Sequence, residues 1–106
     1  MEREYKKLVR DNIPDIITES GNQPITRILG DDEYKQCLFK KLNEEVKEFI
    51  EDESVEELSD VLEVIDALKE ALGFSSDLIQ DVRNKKLQKN GAFQKKIFLE
   101  KVLINK

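Results

Sequence analysis

A chain of 106 residues in which hydrophobic and charged side chains each make up 39%, with only 4 glycines and 2 prolines, excludes collagen-like, mucin-like and fully disordered architectures. It fits one small, highly charged, mainly α domain over residues 1–106, large enough to bury roughly 65% of the unfolded surface. The formal net charge of −5 hides a polarity, because residues 31–82 carry 17 acids against 5 bases and residues 83–106 carry 8 bases against Glu100 alone.

Histidine is absent, which removes Ser-His-Asp and Cys-His nucleophile systems and every histidine-ligated zinc site, so a metal would have to be held by oxygen. The single cysteine, Cys37, cannot form an internal disulfide and suits a reducing cytoplasm, where it reads as a small, partly buried hydrophobe. No apolar run approaches the roughly 20 residues that span a bilayer, and the charged start MEREYKKLVRDN lacks a signal-peptide core. The expectation is a soluble intracellular protein. The basic tail could serve as a nucleic-acid patch, an internal partner for the acidic middle or a polyphosphate clamp, and the net acidic chain argues against the first.

In chain order, Leu8, Val9, Ile13, Ile16 and Ile17 predict a short packed arm in which Pro14 opens a helix, broken by Glu19-Ser20-Gly21-Asn22-Gln23-Pro24. The β-branched stretch Ile25-Thr26-Arg27-Ile28-Leu29 predicts a short strand ended by Gly30. From Asp31 or Asp32 as cap, Leu38, Phe39, Leu42, Val46, Phe49 and Ile50 recur at helical spacing and predict a helix over about 32–52. Ser54-Val55-Glu56-Glu57 is a capping-box pattern that opens a second helix through Leu58, Val61, Leu62, Ile65, Leu68 and Leu72, closed by Gly73. Ser75-Ser76-Asp77 offers caps for a third, ending near Lys89 at Asn90-Gly91. The final 96–104 stretch reads as a strand or a short helix, so a small two-stranded β element stays open.

The very short link between the two central helices predicts an antiparallel hairpin centred between Asp52 and Glu53. Residues whose numbers add to one total then lie at similar height, which sets Glu45 beside Asp60 and Glu48 beside Glu57. Within each helix the two members are three apart, on one side. Glu57 points about 40° from Val61, inside the apolar arc, while Glu48 lies further round toward Lys41 and Glu44. Two carboxylates about 5 Å apart repel by roughly 3 kcal/mol at an effective dielectric near 20, so the quartet calls for a hard divalent cation. Magnesium is the expected ion, with manganese the alternative, and it would bring phosphate oxygens with it.

Glu44-Glu45-Val46-Lys47-Glu48 followed by Glu57-Leu58-Ser59-Asp60 resembles the E-E-x-x-E … E-x-x-D signature of the all-α nucleoside triphosphate pyrophosphohydrolases, the MazG-like superfamily. The segments Tyr5 to Pro14, Thr26-Arg27-Ile28-Leu29, Asp60 to Val64 and Asn90-Gly91-Ala92-Phe93 through Leu99 are similar to a compact phosphoribosyl-ATP pyrophosphohydrolase-like branch, so the likeness spans nearly the whole chain. Two departures stand out: the gap of eight residues between Glu48 and Glu57 is shorter than usual there, and Asn90-Gly91-Ala92-Phe93 stands where Arg-Gly-Gly-Phe is expected.

The resemblance implies a helical bundle in which Glu45, Glu48, Glu57 and Asp60 ligate magnesium and a nucleoside triphosphate or related nucleotide is cut between its α and β phosphates. Glu44 or Glu48 would accept the proton of the attacking water. Lys41, one turn before Glu45, is expected to meet phosphate on geometric grounds, and Arg10, Arg27, Lys89, Lys95 and Lys96 on grounds of the shared segments. The branch also implies a homo-oligomer, dimer or tetramer, with helices pairing between chains. A non-catalytic helical interaction module and a nucleotide-binding regulator are the competing readings.

Overall fold

A computed structural model, which describes residues 1–105, is all-helical: α1 (Ile13–Glu19), α2 (Asp31–Glu51), α3 (Val55–Leu72) and α4 (Ser76–Asn90), with no strand among the described residues. The chain forms two compact units, Met1–Gly73 and the residues from Phe74 onward. No helix among them is long and apolar enough to cross a membrane.

In the first unit the packing is that of a hairpin of α2 and α3 joined by Asp52, Glu53 and Ser54. Leu38, 3% exposed, packs with Val64 and Leu68, so early positions of α2 meet late positions of α3 and the helices run antiparallel. Leu8 from the N-terminal arm, Tyr34, Leu42 and Ala67 close around that core. Along α3 the buried positions Val61, Val64 and Leu68 sit three and four apart, which is the stripe the periodicity predicts.

The helix ends follow from local chemistry. Pro14 sits in the first turn of α1, where its missing N–H costs nothing. Ser54 caps α3, its Oγ accepting the Glu57 N–H at 3.2 Å, and Gly73 ends it in the left-handed region at φ 73°. For α2 the cap is Gly30, not Asp31 or Asp32; those two carboxylates lie in the first turn, where they complement the helix dipole without taking the cap.

The expected strand at Ile25–Leu29 is irregular chain, as is the 96–104 stretch. Residues 25–29 make no backbone hydrogen bond to another segment, and Ile25 and Ile28 stand exposed. β-Branched residues favour a strand only where a neighbouring strand takes their N–H and C=O groups.

In the second unit Ser75 caps α4 through the Leu78 N–H at 3.1 Å, and Gly91 follows its last residue. Beyond it the chain turns once, with the Lys96 N–H on the Phe93 carbonyl at 3.3 Å.

Candidate functional site

The hairpin brings three acids together. Glu45 of α2 and Glu57 and Asp60 of α3 each offer a carboxylate oxygen, and the three oxygens lie within 4.8 Å of one another. Glu45 is only 7% exposed, the one buried charged residue of the described chain. The local sequence explains why Glu57 is free for this. A full capping box would turn its side chain back to the Ser54 N–H, but that N–H is already donated to the Asp52 carbonyl at 2.6 Å. Only the Ser54 half of the box forms, and the Glu57 carboxylate faces the hairpin instead.

One oxygen each of Glu45 and Glu57, Oε2 in both, is shut off from water and has no hydrogen-bond partner. Burial pushes the Glu45 carboxyl above the ordinary range, the charge of Glu48 adds to the rise, and Lys41 opposes it. Glu57 is pushed up by burial first and then by the charges of Asp60, Glu45, Asp52 and Glu56. Both shifts have the same sign. Loss of water around the charged form leads in both, and neighbouring carboxylates add to it.

Cations gather at its edge. Lys41 Nζ lies 3.4 Å from Glu45 Oε1 and 3.5 Å from Glu44 Oε1. From the N-terminal arm, Arg10 Nη2 donates to Asp60 Oδ1 at 2.6 Å and Lys7 Nζ approaches Glu44 at 3.8 Å, so the arm bridges from α2 to α3 on either side of the inserted Leu8.

Of the four expected ligands, then, three converge. Glu48 adjoins Glu45 closely enough to raise its pKa but lies outside the group of three, and it makes no ion pair among the described residues. Its phase on the helix is the reason, since it lies further round than Glu45. Glu44 is half-buried and paired with two lysines. Lys41 and Arg10 do border the acids, whereas Arg27 does not. The Arg27 guanidinium is engaged in a two-pronged pair with Glu33, at 2.9 and 2.6 Å, in the first turn of α2, about 18 Å along the helix from Glu45. Lys89 lies in the last turn of α4, and Lys95 and Lys96 line an open concavity formed by Asn90 to Ile97 of the second unit. Lys7 is an additional cation at this edge, and its sequence signal is its place beside Leu8 in the Tyr5 to Pro14 segment.

The donor set fits a hard cation. An octahedral magnesium with ligands at about 2.1 Å separates its oxygens by about 3 to 4.2 Å, a small closure from the spacing here, and the two orphaned Oε2 atoms lack any other partner.

No family model matches the chain, and no solved structure matches it significantly. The chain is 55% identical over 42 residues to an uncharacterized protein of Mycolicibacterium smegmatis, a stretch that covers 40% of this chain and 43% of that protein.

Proposed function

We propose that the protein is a magnesium-dependent nucleoside triphosphate pyrophosphohydrolase, releasing a nucleoside monophosphate and pyrophosphate. The observation that carries the reading is the convergence of Glu45, Glu57 and Asp60 around two buried, partnerless carboxylate oxygens. The resemblance of the same residues to the E-E-x-x-E … E-x-x-D signature of the MazG-like enzymes supports it independently.

Glu45, Glu57 and Asp60 would hold the ion. Magnesium bound there supplies Lewis-acid polarisation of the phosphates and a water more readily ionised near neutral pH. Glu48, beside Glu45 and without an ion pair, is the carboxylate best placed to take the proton of the attacking water; Glu44 is committed to Lys7 and Lys41. Lys41, on Glu45, and Arg10, on Asp60, are the cations nearest to an arriving phosphate. No covalent nucleophile is required, in keeping with a chain without histidine.

We also infer a homo-oligomer in a reducing cytoplasm. Phe39, Val46 and Ile50 repeat along one face of α2, and Leu58, Leu62 and Ile65 along one face of α3, all exposed. A second copy is the occupant that such self-complementary apolar faces fit. Light scattering at micromolar concentration reads this directly, and a monomer overturns it.

The test of the activity is pyrophosphate release from a panel of normal and modified nucleoside triphosphates with and without magnesium. Release that needs magnesium and disappears in Glu48→Gln and Asp60→Asn, with helicity retained, is the expected result. Binding without release assigns the chain to the nucleotide-binding regulators, and neither binding nor magnesium-dependent stabilisation assigns it to the interaction modules.

A further inference from the structure

Beside the acids lies a pocket of opposite charge. Lys6, Lys7, Lys40 and Lys41 line a cavity of about 80 Å³ together with Leu8, Cys37 and Glu44. Four lysines thus share the wall of one small space in a unit that is otherwise acidic, two of them, Lys7 and Lys41, with their Nζ on its single carboxylate, Glu44. Its floor is partly apolar, from Leu8 and Cys37, which strengthens the field of the lysines over what open water would allow.

Two further observations set it apart from a chance cluster of surface lysines. Lys6 adopts φ 46°, in the left-handed region that non-glycine residues rarely occupy and that collects at ligand-binding positions. The lysines are also loosely held. Lys7 to Glu44, Lys41 to Glu44 and Lys6 to Glu4 are contacts of 3.5 to 3.8 Å, and Lys40 has no ion pair among the described residues. The long, exposed pairs of Lys6 and Lys7 contribute little and exchange readily for a better acceptor, whereas Lys41 is largely buried between Glu44 and Glu45. The pocket borders the acid site, since Lys41 reaches Glu45 at 3.4 Å from its wall.

We propose that this pocket is an anion subsite that receives the terminal phosphoryl group of a polyphosphate whose inner phosphates lie at Glu45, Glu57 and Asp60, so that Lys6, Lys7 and Lys40 bind substrate alongside Lys41. The inference rests on the pyrophosphohydrolase reading. A phosphoryl group offers several charged acceptor oxygens to match several ammonium donors, and a volume near 80 Å³ admits one such group but not a base or a sugar. Pyrophosphate, carrying the same terminal group, fits the same lysines. Selectivity for chain length would then reside here, because a nucleoside monophosphate cannot bridge from the acids to the pocket.

The experiment is calorimetric titration of the full chain with inorganic pyrophosphate, without magnesium and then with it. Lys40→Met removes a cation that supports no ion pair, Lys6→Met with Lys40→Met removes two, and Lys47→Met removes an exposed α2 lysine that does not line the pocket. The expected result is a loss of pyrophosphate affinity of about five- to tenfold in Lys40→Met, a larger loss in the double variant and less than about twofold in Lys47→Met. Equal affinity in all four proteins, or no binding to the wild type in either condition, overturns the subsite. Magnesium alone, followed by thermal melting, separates the two readings: stabilisation by magnesium with lysine-independent pyrophosphate binding sinks only the subsite. Lysine-dependent binding with no response to magnesium leaves the lysines as an anion site and overturns both the metal reading and the placement of inner phosphates at the acids.

Discussion

Arg10 and Asp60, fifty positions apart, meet at 2.6 Å, so the N-terminal arm supplies a positive charge to the same carboxylate that joins Glu45 and Glu57. A guanidinium on Asp60 and a divalent ion beside it compete for one negative charge. Arg10→Met is therefore expected to tighten manganese binding by about three- to tenfold, read by paramagnetic resonance titration, while lowering the metal-free protein's stability by no more than about 1 kcal/mol, because the pair is exposed. Unchanged manganese affinity would show that the pair is structural only.

Glu57 carries the most telling substitution. Glu57→Gln keeps the side-chain shape and removes one of three clustered charges, so the metal-free variant should melt at a higher temperature than the wild type. Magnesium should raise the melting temperature of the wild type and leave the variant unmoved. A variant that melts lower without metal would mean that the repulsion described for the site is already relieved by Arg10 and Lys41.

Acidity provides a third check. Glu45 and Glu57 hold their protons more tightly in the folded protein than in the unfolded chain, so their contribution is fully present below the ordinary carboxylate pKa of 4.5 and is lost as pH rises through the raised folded values. Glu33 works the other way: its hydrogen bond to Arg27 lowers its pKa, and the stability that pair contributes is lost as pH falls below the ordinary value. In chelator, urea midpoints should therefore be higher at pH 5 than at pH 7, and saturating magnesium should remove the difference. A midpoint that rises from pH 5 to pH 7 in chelator would contradict the assignment of buried, unneutralised acids.

Ser54 tests the hairpin itself. Ser54→Ala removes the Oγ that accepts the Glu57 N–H and should cost about 1 kcal/mol in chemical denaturation. Because the Ser54 backbone N–H stays on Asp52, the link should keep its course, and magnesium should still stabilise the variant.

What the sequence disclosed, and what it withheld, divides along physical lines. Periodicity and capping chemistry are local, so α2, α3 and α4 lie within a residue or so of where Leu38, Ser54, Gly73, Ser75 and Gly91 put them. The hairpin register set Glu45 and Asp60 together because a short link leaves an antiparallel pair almost no freedom. Height alone, however, also paired Glu48 with Glu57, and rotation about the helix axis decides otherwise. Gly30 took the α2 cap from two aspartates equally able to fill it, a choice between adjacent residues that composition does not determine. Arg10 is expected at the site from the shared segments alone, but its seat on Asp60, and the places of Lys6 and Lys7, needed the path of the arm over the hairpin, which is tertiary information, and Ile25 to Leu29 needed a strand partner that the fold does not offer.

The link of Asp52, Glu53 and Ser54 also bears on how the molecule comes to exist in time. Contacts between segments so near in sequence close quickly, and helical hairpins of low contact order form in microseconds to milliseconds. The packing of Leu38 against Val64 also sets Glu45 upon Glu57 and Asp60, so closing the hairpin carries the electrostatic penalty of the site. If the divalent ion proposed above binds there, it would offset that penalty by mass action, and the folded fraction would rise with the supply of the ion.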